Sequence, residues 1–433
     1  MTIEIVGLIG VLGLFGLLAL RMPVGLALIV VGTLGIWSLS NSTVALATLG
    51  DETWVVVTQS TLTVIPLFIL MGNVASISGM SRNLYDAAFA FIGHRRGGLA
   101  GATIIGCGGF AALSGSSVAS ALTMGRVALP EMKRFEYDDR LATGAVAAGG
   151  TLGILIPPST GFIVYAILTE ESIGQLFIAG ILPGLLLMIL FALTVSAVCW
   201  FNPALGPAGP RSSAGERIRS LAAAAPLILI ILVTIGGIYL GVFTPVEAAG
   251  VGAVLTSIVA LLRGTVTIST AVSVLLRTVK TTAMTYLILI GAHVFTPFLA
   301  RSRLPDLLVE QLIGLGLGAY GTLIVILLAL IILGTFLEGL AMLVLTLPII
   351  FPIILALGFD PIWFGVLMVI VLEMGLITPP VGLNVFLVKM IAPSVPLSKI
   401  FSGIAPFWVA MLAALILLIL FPQIALFLPH QMF

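Results

Sequence analysis

The sequence predicts an all-α polytopic membrane protein built as an inverted repeat, with two re-entrant helical hairpins and two broken transmembrane helices. Three observations carry this. Of 433 residues, 60% are hydrophobic and only 8% charged, and a mean hydropathy of +1.28 lies outside what a soluble domain of this size shows. Two apolar runs, each long enough to cross a bilayer, are interrupted by a Pro-Pro doublet: LGILIPPST, Leu152 to Thr160, and LITPPVGLN, Leu376 to Asn384. The doublets and their surroundings recur at a shift near 222 residues.

Taken in order, spans fall near residues 4 to 20, 24 to 40 and 54 to 77. Ser81 to Gly98 mixes polar and apolar residues in the pattern of a helix lying along the membrane surface. The run from Leu99 to Leu129 is interrupted by LSGSS, Leu113 to Ser117, which predicts two short legs and a tip, hairpin 1, entering and leaving on one side. The charged loop Glu131 to Arg140 follows, then the span broken at IPPS, Ile156 to Ser159, and a span near 176 to 200.

Asn202 to Ser220 has the Pro, Gly, Ser and Arg content of a linker, which sets the boundaries at 1–201, 202–221 and 222–433. In the second half, spans near 222 to 241, 245 to 262 and 278 to 299 precede an amphipathic stretch, Arg301 to Gly316. Hairpin 2 runs from Tyr320 to Ile354 with Gly334, Glu338 and Gly339 at its middle. The span broken at Pro379 and a last span near 403 to 428 complete the chain.

The repeat is visible position by position. At a shift of 222, Pro23, Val24 and Ala27 fall on Pro245, Val246 and Ala249, and Gly153, Pro157 and Pro158 on Gly375, Pro379 and Pro380. At 223, Thr123 falls on Thr346, and Gly180, Ile181 and Pro183 on Gly403, Ile404 and Pro406. If the hairpins do not cross, each half crosses an odd number of times and the second is upside down. With both termini outside, all 18 Lys and Arg except Arg301 and Arg303 fall on the cytoplasmic side, as the positive-inside rule requires. Trp37, Trp54, Trp200 and Trp363 lie near span ends, where an aromatic belt is expected.

Composition also excludes. A net charge of +1 offers nothing to a nucleic acid. Cys107 and Cys199 sit in apolar runs and are expected to pack rather than bridge. Met1 to Arg21 has the charge order of a retained span, with Glu4 first and Arg21 last, rather than of a cleaved signal. There is no Walker A lysine, no HExxH and no Cys/His cluster. An intramembrane hydrolase built on Ser116 or Ser117 would lack a nearby base, since His293 lies in the other half.

What remains is transport. Four interrupted segments at similar depth are how inverted-repeat transporters build a midplane site: helix N-termini offer N–H groups to an anion, and helix C-termini and unwound carbonyls suit Na⁺. Ser114, Ser116, Ser117 and Ser159, with Thr378 and Asn384, add small polar side chains there. Glu338 and Glu373 are the deepest carboxylates, and an ionised acid at a helix centre costs roughly 2.5 to 3.5 kcal/mol on insertion scales. Glu338 is expected to face substrate or a cation, and Glu373 to hydrogen-bond backbone freed by Pro379. His293 is expected to be a satisfied or loosely paired core histidine.

LSGSSVAS, GILIPPS, FLEGLAMLVLTLPI and GLITPPVGLN, followed by Ser-Lys-Ile-Phe, resemble the large membrane subunit of the tripartite ATP-independent periplasmic (TRAP) transporters, within the ion transporter superfamily. The likeness spans essentially the whole chain. It implies a non-enzymatic, elevator-type transporter coupled to a Na⁺ gradient, with two or more Na⁺ sites, in a bacterial or archaeal inner membrane. It also implies a small four-helix membrane subunit, a periplasmic substrate-binding protein and an organic acid substrate such as a C4-dicarboxylate or a sialic acid. Carried over by motif, Ser114, Gly115, Pro157, Gly334, Gly339, Thr378, Pro379 and Gly382 are Na⁺ candidates. Ser116, Ser117, Ser159, Glu338 and Asn384 are substrate candidates. Some relatives fuse the small subunit to this one; here it is expected as a separate chain. Ser81 to Gly98 and Arg301 to Gly316 match the family's lateral arm helices. A stand-alone carrier of the same superfamily, with no binding protein, is the alternative.

Overall fold

The structure is a computed structural model that describes residues 2–314 and 316–432, all helices and connections; Met1, Phe433 and Leu315, within the second amphipathic stretch, lie outside the described residues. The first half contains α1 (Ile3–Ala19), α2 (Val24–Leu39), α3 (Ser42–Thr58), a 3-10 turn (Ser60–Thr63), α4 (Val64–Ile77) and α5 (Met80–Ile92). It continues with α6 (Gly98–Ser114), α7 (Ser117–Arg134), α8 (Asp139–Leu155), α9 (Thr160–Thr169) and α10 (Ile173–Phe201). The second contains α11 (Ala214–Tyr239), α12 (Pro245–Leu262), α13 (Ile268–Ser302), α14 (Leu304–Gly314), α15 (Gly318–Gly334) and α16 (Gly339–Ala356). After these come α17 (Pro361–Leu376), α18 (Leu383–Ile391), α19 (Leu397–Leu420) and the short α20 (Gln423–Leu426) and α21 (Pro429–Met432). Among the described residues, eight helical segments are long and apolar enough to span a membrane.

Local chemistry sets the boundaries. Ser213 and Thr244 each form a capping box with the glutamate three residues on, Glu216 and Glu247, which fixes where α11 and α12 begin. Ser116, Asp138, Ser159, Ser172 and Asp360 cap α7, α8, α9, α10 and α17 in the same way, with a side-chain oxygen on an early backbone N–H.

Two bodies of helices pack around one core. In one, α2 runs along α13, α12 lies on α4, and α1 and α3 flank α2. Small residues bring the pair together: a Cβ on Gly32 would stand 2.8 Å from the Val294 carbonyl oxygen, and one on Gly291 2.6 Å from that of Gly25. Asn73 Nδ2 donates to Thr278 Oγ1 at 3.0 Å, tying α4 to α13. In the other, α8 is surrounded by α6, α7 and α19, and α17 lies between α15, α16 and α10. The segment after α10 returns along the α5–α6 turn: Gly97 N donates to Gly206 O at 2.8 Å and Gly209 N to Gly93 O at 2.9 Å.

Several predicted boundaries shift. The span expected at 54 to 77 is two helices, because Gln59 takes an extended conformation and a 3-10 turn follows. In the second half the same stretch is one helix of 35 residues, beginning well before residue 278. α11 starts at Ala214, inside the expected linker, because the Ser213 box nucleates it there. α7 continues through Arg134 and α8 begins at Asp139, so the charged loop Glu131 to Arg140 shrinks to the four residues 135–138. The stretch Ser81 to Gly98 is no freely lying surface helix: α5 buries Leu84, Tyr85, Ala87, Ala88 and Ala90. Trp363 leaves the expected belt. It is 2% exposed and its Nε1 donates to Leu418 O at 2.9 Å, whereas Trp37, Trp54 and Trp200 are exposed. Cys107 and Cys199 are free and buried.

Candidate functional site

The hairpin 1 tip is three residues long. Ser114 ends α6, Gly115 turns the chain at φ +57°, and Ser116 begins α7 by accepting from Ala119 N at 3.4 Å. The tip is held against the first break. The Gly115 carbonyl accepts from both Thr160 N, at 3.2 Å, and Thr160 Oγ1, at 2.8 Å, while Ser114 Oγ and Ser120 Oγ share a hydrogen bond of 2.9 Å inside the hairpin. A Cβ on Gly153 would lie 2.5 Å from the Ser116 carbonyl oxygen, so α8 must carry glycine where the tip crosses it. Pro157 and Pro158 are buried, and Ser159, with no exposure, caps α9 by accepting from Phe162 N at 3.2 Å.

The second half repeats the arrangement in outline. α15 ends at Gly334, and Glu338 begins α16 by accepting from Ala341 N at 3.1 Å. A Cβ on Gly375 would lie 2.6 Å from the Gly334 backbone. Gly153 and Gly375 are the glycines that coincide at the 222-residue shift, and each is where a hairpin end crosses a broken helix. Gly339 meets nothing closer than a Leu376 methyl at 3.9 Å, so packing does not demand a glycine there. Beyond the break, Gly382 takes φ +64° and starts α18. Unlike the first break, the second is open: Pro379, Pro380 and Val381 are exposed, as are Phe336 and Glu338 on the hairpin end.

Most of the predicted residues therefore fall at the two tips and the two breaks, with three adjustments. Glu373 does not bond to backbone freed by Pro379; it accepts from Ser117 Oγ and so joins the second-half broken helix to the hairpin 1 tip. Ser117 is thereby engaged with protein, at 1% exposure. The Thr378 hydroxyl donates to Met374 O at 2.5 Å and accepts from Trp408 Nε1 at 2.9 Å, so protein groups already hold its proton and one of its lone pairs. Asn384 has no exposure, and neither its Oδ1 nor its Nδ2 has a partner. His293 pairs loosely with Glu52, at 3.4 Å from Nδ1, and lies away from the tips with its Nε2 unpartnered.

Thr160 and Trp408 were missed. Thr160 coincides with Gly382 in the repeat, so symmetry could not flag it, and Trp408 lies on a helix with no polar pattern near it. The arrangement offers carbonyls, helix N-termini and small hydroxyls around two carboxylates. Its one hydroxyl–carboxylate pair described at the tips, Ser117 on Glu373, is buried, each residue 1% exposed. The chemistry of the arrangement is that of ion and solute binding.

The DctM component of the tripartite ATP-independent periplasmic transporters, as a family, matches residues 11–424. The chain belongs to this family. It is 40% identical over 371 residues, 86% of each chain, to the C4-dicarboxylate TRAP transporter large permease protein DctM of Pseudomonas aeruginosa. It is 34% identical over 418 residues, 94% of this chain and 95% of the other, to the sialic acid TRAP transporter large permease protein SiaM of Vibrio cholerae. In fold it resembles the YdaH transporter of Alcanivorax borkumensis, with a TM-score of 0.58 over 90% of this chain and 89% of that one. Sequence identity there is 16%, so that likeness speaks for the fold alone. The protein is thus a multi-pass large permease subunit of a bacterial transporter family, and not an enzyme.

Proposed function

We propose that this subunit imports an organic acid anion, a C4-dicarboxylate, a sialic acid or a similar carboxylate, by Na⁺-coupled symport. The names of its DctM and SiaM relatives supply the substrate class. A periplasmic binding protein delivers the anion, and a separate small four-helix subunit completes the membrane complex. The inner membrane holds it with both termini on the periplasmic side, so the second half is inverted relative to the first.

The observation that carries this reading is the doubled crossing: Gly153 under the Ser116 carbonyl and Gly375 under Gly334 seat each hairpin on a broken helix. Each crossing gathers carbonyls from a helix end and from an interrupted helix, the donor set that suits Na⁺ better than a divalent ion. Around the first, the carbonyls of Ser114 and Pro157 are the candidates, since Thr160 takes up that of Gly115; around the second, those of Gly334, Gly339, Thr378 and Pro379, since the Gly382 carbonyl accepts from Val385 N and Phe386 N. α7, α9, α16 and α18 begin at these tips and breaks, where helix N-termini carry positive dipole ends, and Ser116, Ser159 and Asn384 stand in or next to their first turns. An anion there is held by helix ends rather than arginines. The hairpins and broken helices then move as one body against α1–α4 and α11–α13, in the manner of an elevator.

Reconstitution of this chain with its small subunit and binding protein tests the reading. Uptake of labelled C4-dicarboxylate or sialic acid is expected under an inward Na⁺ gradient and not when choline replaces Na⁺. Equal uptake in choline would overturn the coupling, and uptake that persists without the binding protein would overturn the three-part assembly.

A further inference from the structure

Glu373 is 1% exposed on α17. Ser117 Oγ, the first side chain of α7, donates to its Oε1. Its Oε2 is buried and has no partner. A carboxylate taken out of water and half satisfied is among the costliest groups a protein can bury.

No cation of the protein relieves it. The helices packed on α17 are α8, α9, α10, α15, α16, α18, α19 and α20, and α7 meets it through Ser117. Their charged side chains are Asp139 and Arg140 at the far end of α8, Arg126, Glu131, Lys133 and Arg134 in the later turns of α7, Lys389 on α18, Lys399 on α19 and the cap of α16, Glu338. Lys389 Nζ donates to the Pro393 and Val395 carbonyls, both at 2.7 Å, and Lys399 Nζ lies 3.8 Å from Asp139 Oδ2. Glu338 has the same sign as Glu373. Among the described residues, no lysine, arginine or histidine pairs with Glu373.

A second buried group, on the other arm of the broken helix, is also unfinished. Asn384 sits in the first turn of α18, a helix packed on α7 and α8, with both side-chain polar atoms unpartnered and no exposure. Two incomplete polar side chains on the two arms of one broken helix point to an occupant. Its charge is set by the site: one uncompensated carboxylate matches one positive charge, whereas Ca²⁺ and its kind require several carboxylates among six to eight oxygens. Among the described residues, no group of three His, Cys, Asp or Glu could hold such an ion.

We propose that Glu373 is the carboxylate of a monovalent-cation site, taking Na⁺ or a proton, and that its occupant fixes the hairpin 1 tip to the helix carrying the second Pro-Pro break. Gly375, two residues on, meets the end of hairpin 2. One turn of α17 therefore contacts both hairpins, and the occupant of Glu373 reports on one to the other. The inference rests on the transport reading for its purpose, but its geometry and its test do not.

The test is thermal unfolding of the purified full chain in detergent, titrated with NaCl against choline chloride at acid and alkaline pH. Wild type is expected to gain stability from the cation. If the occupant is Na⁺, Glu373→Gln raises the half-maximal NaCl by about tenfold or more, with little dependence on pH. If it is a proton, wild type is stabilised at acid pH without Na⁺ and Glu373→Gln abolishes that dependence. Ser117→Ala keeps the carboxylate and loses its donor, and should shift the same titration in the same direction by about threefold; it serves if Glu373→Gln fails to fold. Wild-type titrations in both variants, or no response of wild type to either ion, would overturn the site. Uptake that ignores Na⁺ would tell against the transport reading instead, because the unfolding assay measures binding to this chain alone.

Discussion

At the scale of single residues, the two crossing glycines make the sharpest demand. Helical glycine ordinarily gives way to alanine with a gain of about 1 kcal/mol in propensity. At Gly375 the added methyl would stand 2.6 Å from the Gly334 backbone, closer than side-chain and backbone carbons come, and backbone cannot swing aside as a side chain would. Overpacking of this kind costs about 1 to 3 kcal/mol. Gly375→Ala is therefore expected to cut Na⁺-driven uptake by about tenfold or more while the protein still inserts; wild-type uptake would show that the crossing is not tight. Glu338 separates two roles. It caps α16 with a carboxylate oxygen, and Glu338→Gln keeps an oxygen there, so the variant should lose no more stability than a lost cap, about 1 kcal/mol, and abolish uptake. Retained uptake would make Glu338 a cap only. Legibility at this scale was uneven: the Pro-Pro doublets and LSGSS stood out because they break a pattern. The Ser117–Glu373 bond did not, because it joins residues 256 apart in sequence.

At the scale of elements, the sequence marked the interrupted helices well and the continuous ones poorly. Proline and glycine announce a break, whereas the extra turns of α13 lie in polar residues, Thr267 to Thr282, that lower hydropathy without stopping a helix. The division of α3 from α4 has no Pro-Pro doublet; it rests on the backbone at Gln59, with a lone Pro66 in the first turn of α4. The second break is the opposite case, and it can be tested as an element. Pro380 and Pro379 each withhold an N–H and keep α17 from running into α18. Pro379→Ala restores one donor and removes the constraint on its neighbour. The helix should extend by part of a turn, drawing the Thr378 carbonyl into a bond of its own. The half-maximal Na⁺ for uptake is expected to rise by about three- to tenfold, and an unchanged value would remove Thr378 to Gly382 from the cation site.

At the scale of the molecule, α6 to α9 and α15 to α18 follow one another in the same order of paired helices and a helix broken at a Pro-Pro doublet, yet the two sets stand differently toward solvent. Ser159 and Val381 occupy one position of the repeat, 222 residues apart, directly after the Pro-Pro doublets. Ser159 has no exposure; Val381 is 39% exposed. The same contrast holds for Pro157 and Pro158 against Pro379 and Pro380, all buried in the first half and exposed in the second. Two near-equivalent halves in unequal environments are what alternating access needs, since exchanging their environments converts one state into its opposite. The exchange can be followed with single cysteines at Ser159 and Val381 in a background lacking Cys107 and Cys199. In the resting complex, a membrane-impermeant maleimide should modify Val381→Cys from one side only and leave Ser159→Cys unmodified. With Na⁺, substrate and binding protein present, Ser159→Cys should become reactive from the opposite side as Val381→Cys becomes protected. Labelling of both positions from the same side, or a Ser159→Cys that stays silent while uptake proceeds, would show that the halves do not exchange roles and that the moving body is not the one assigned.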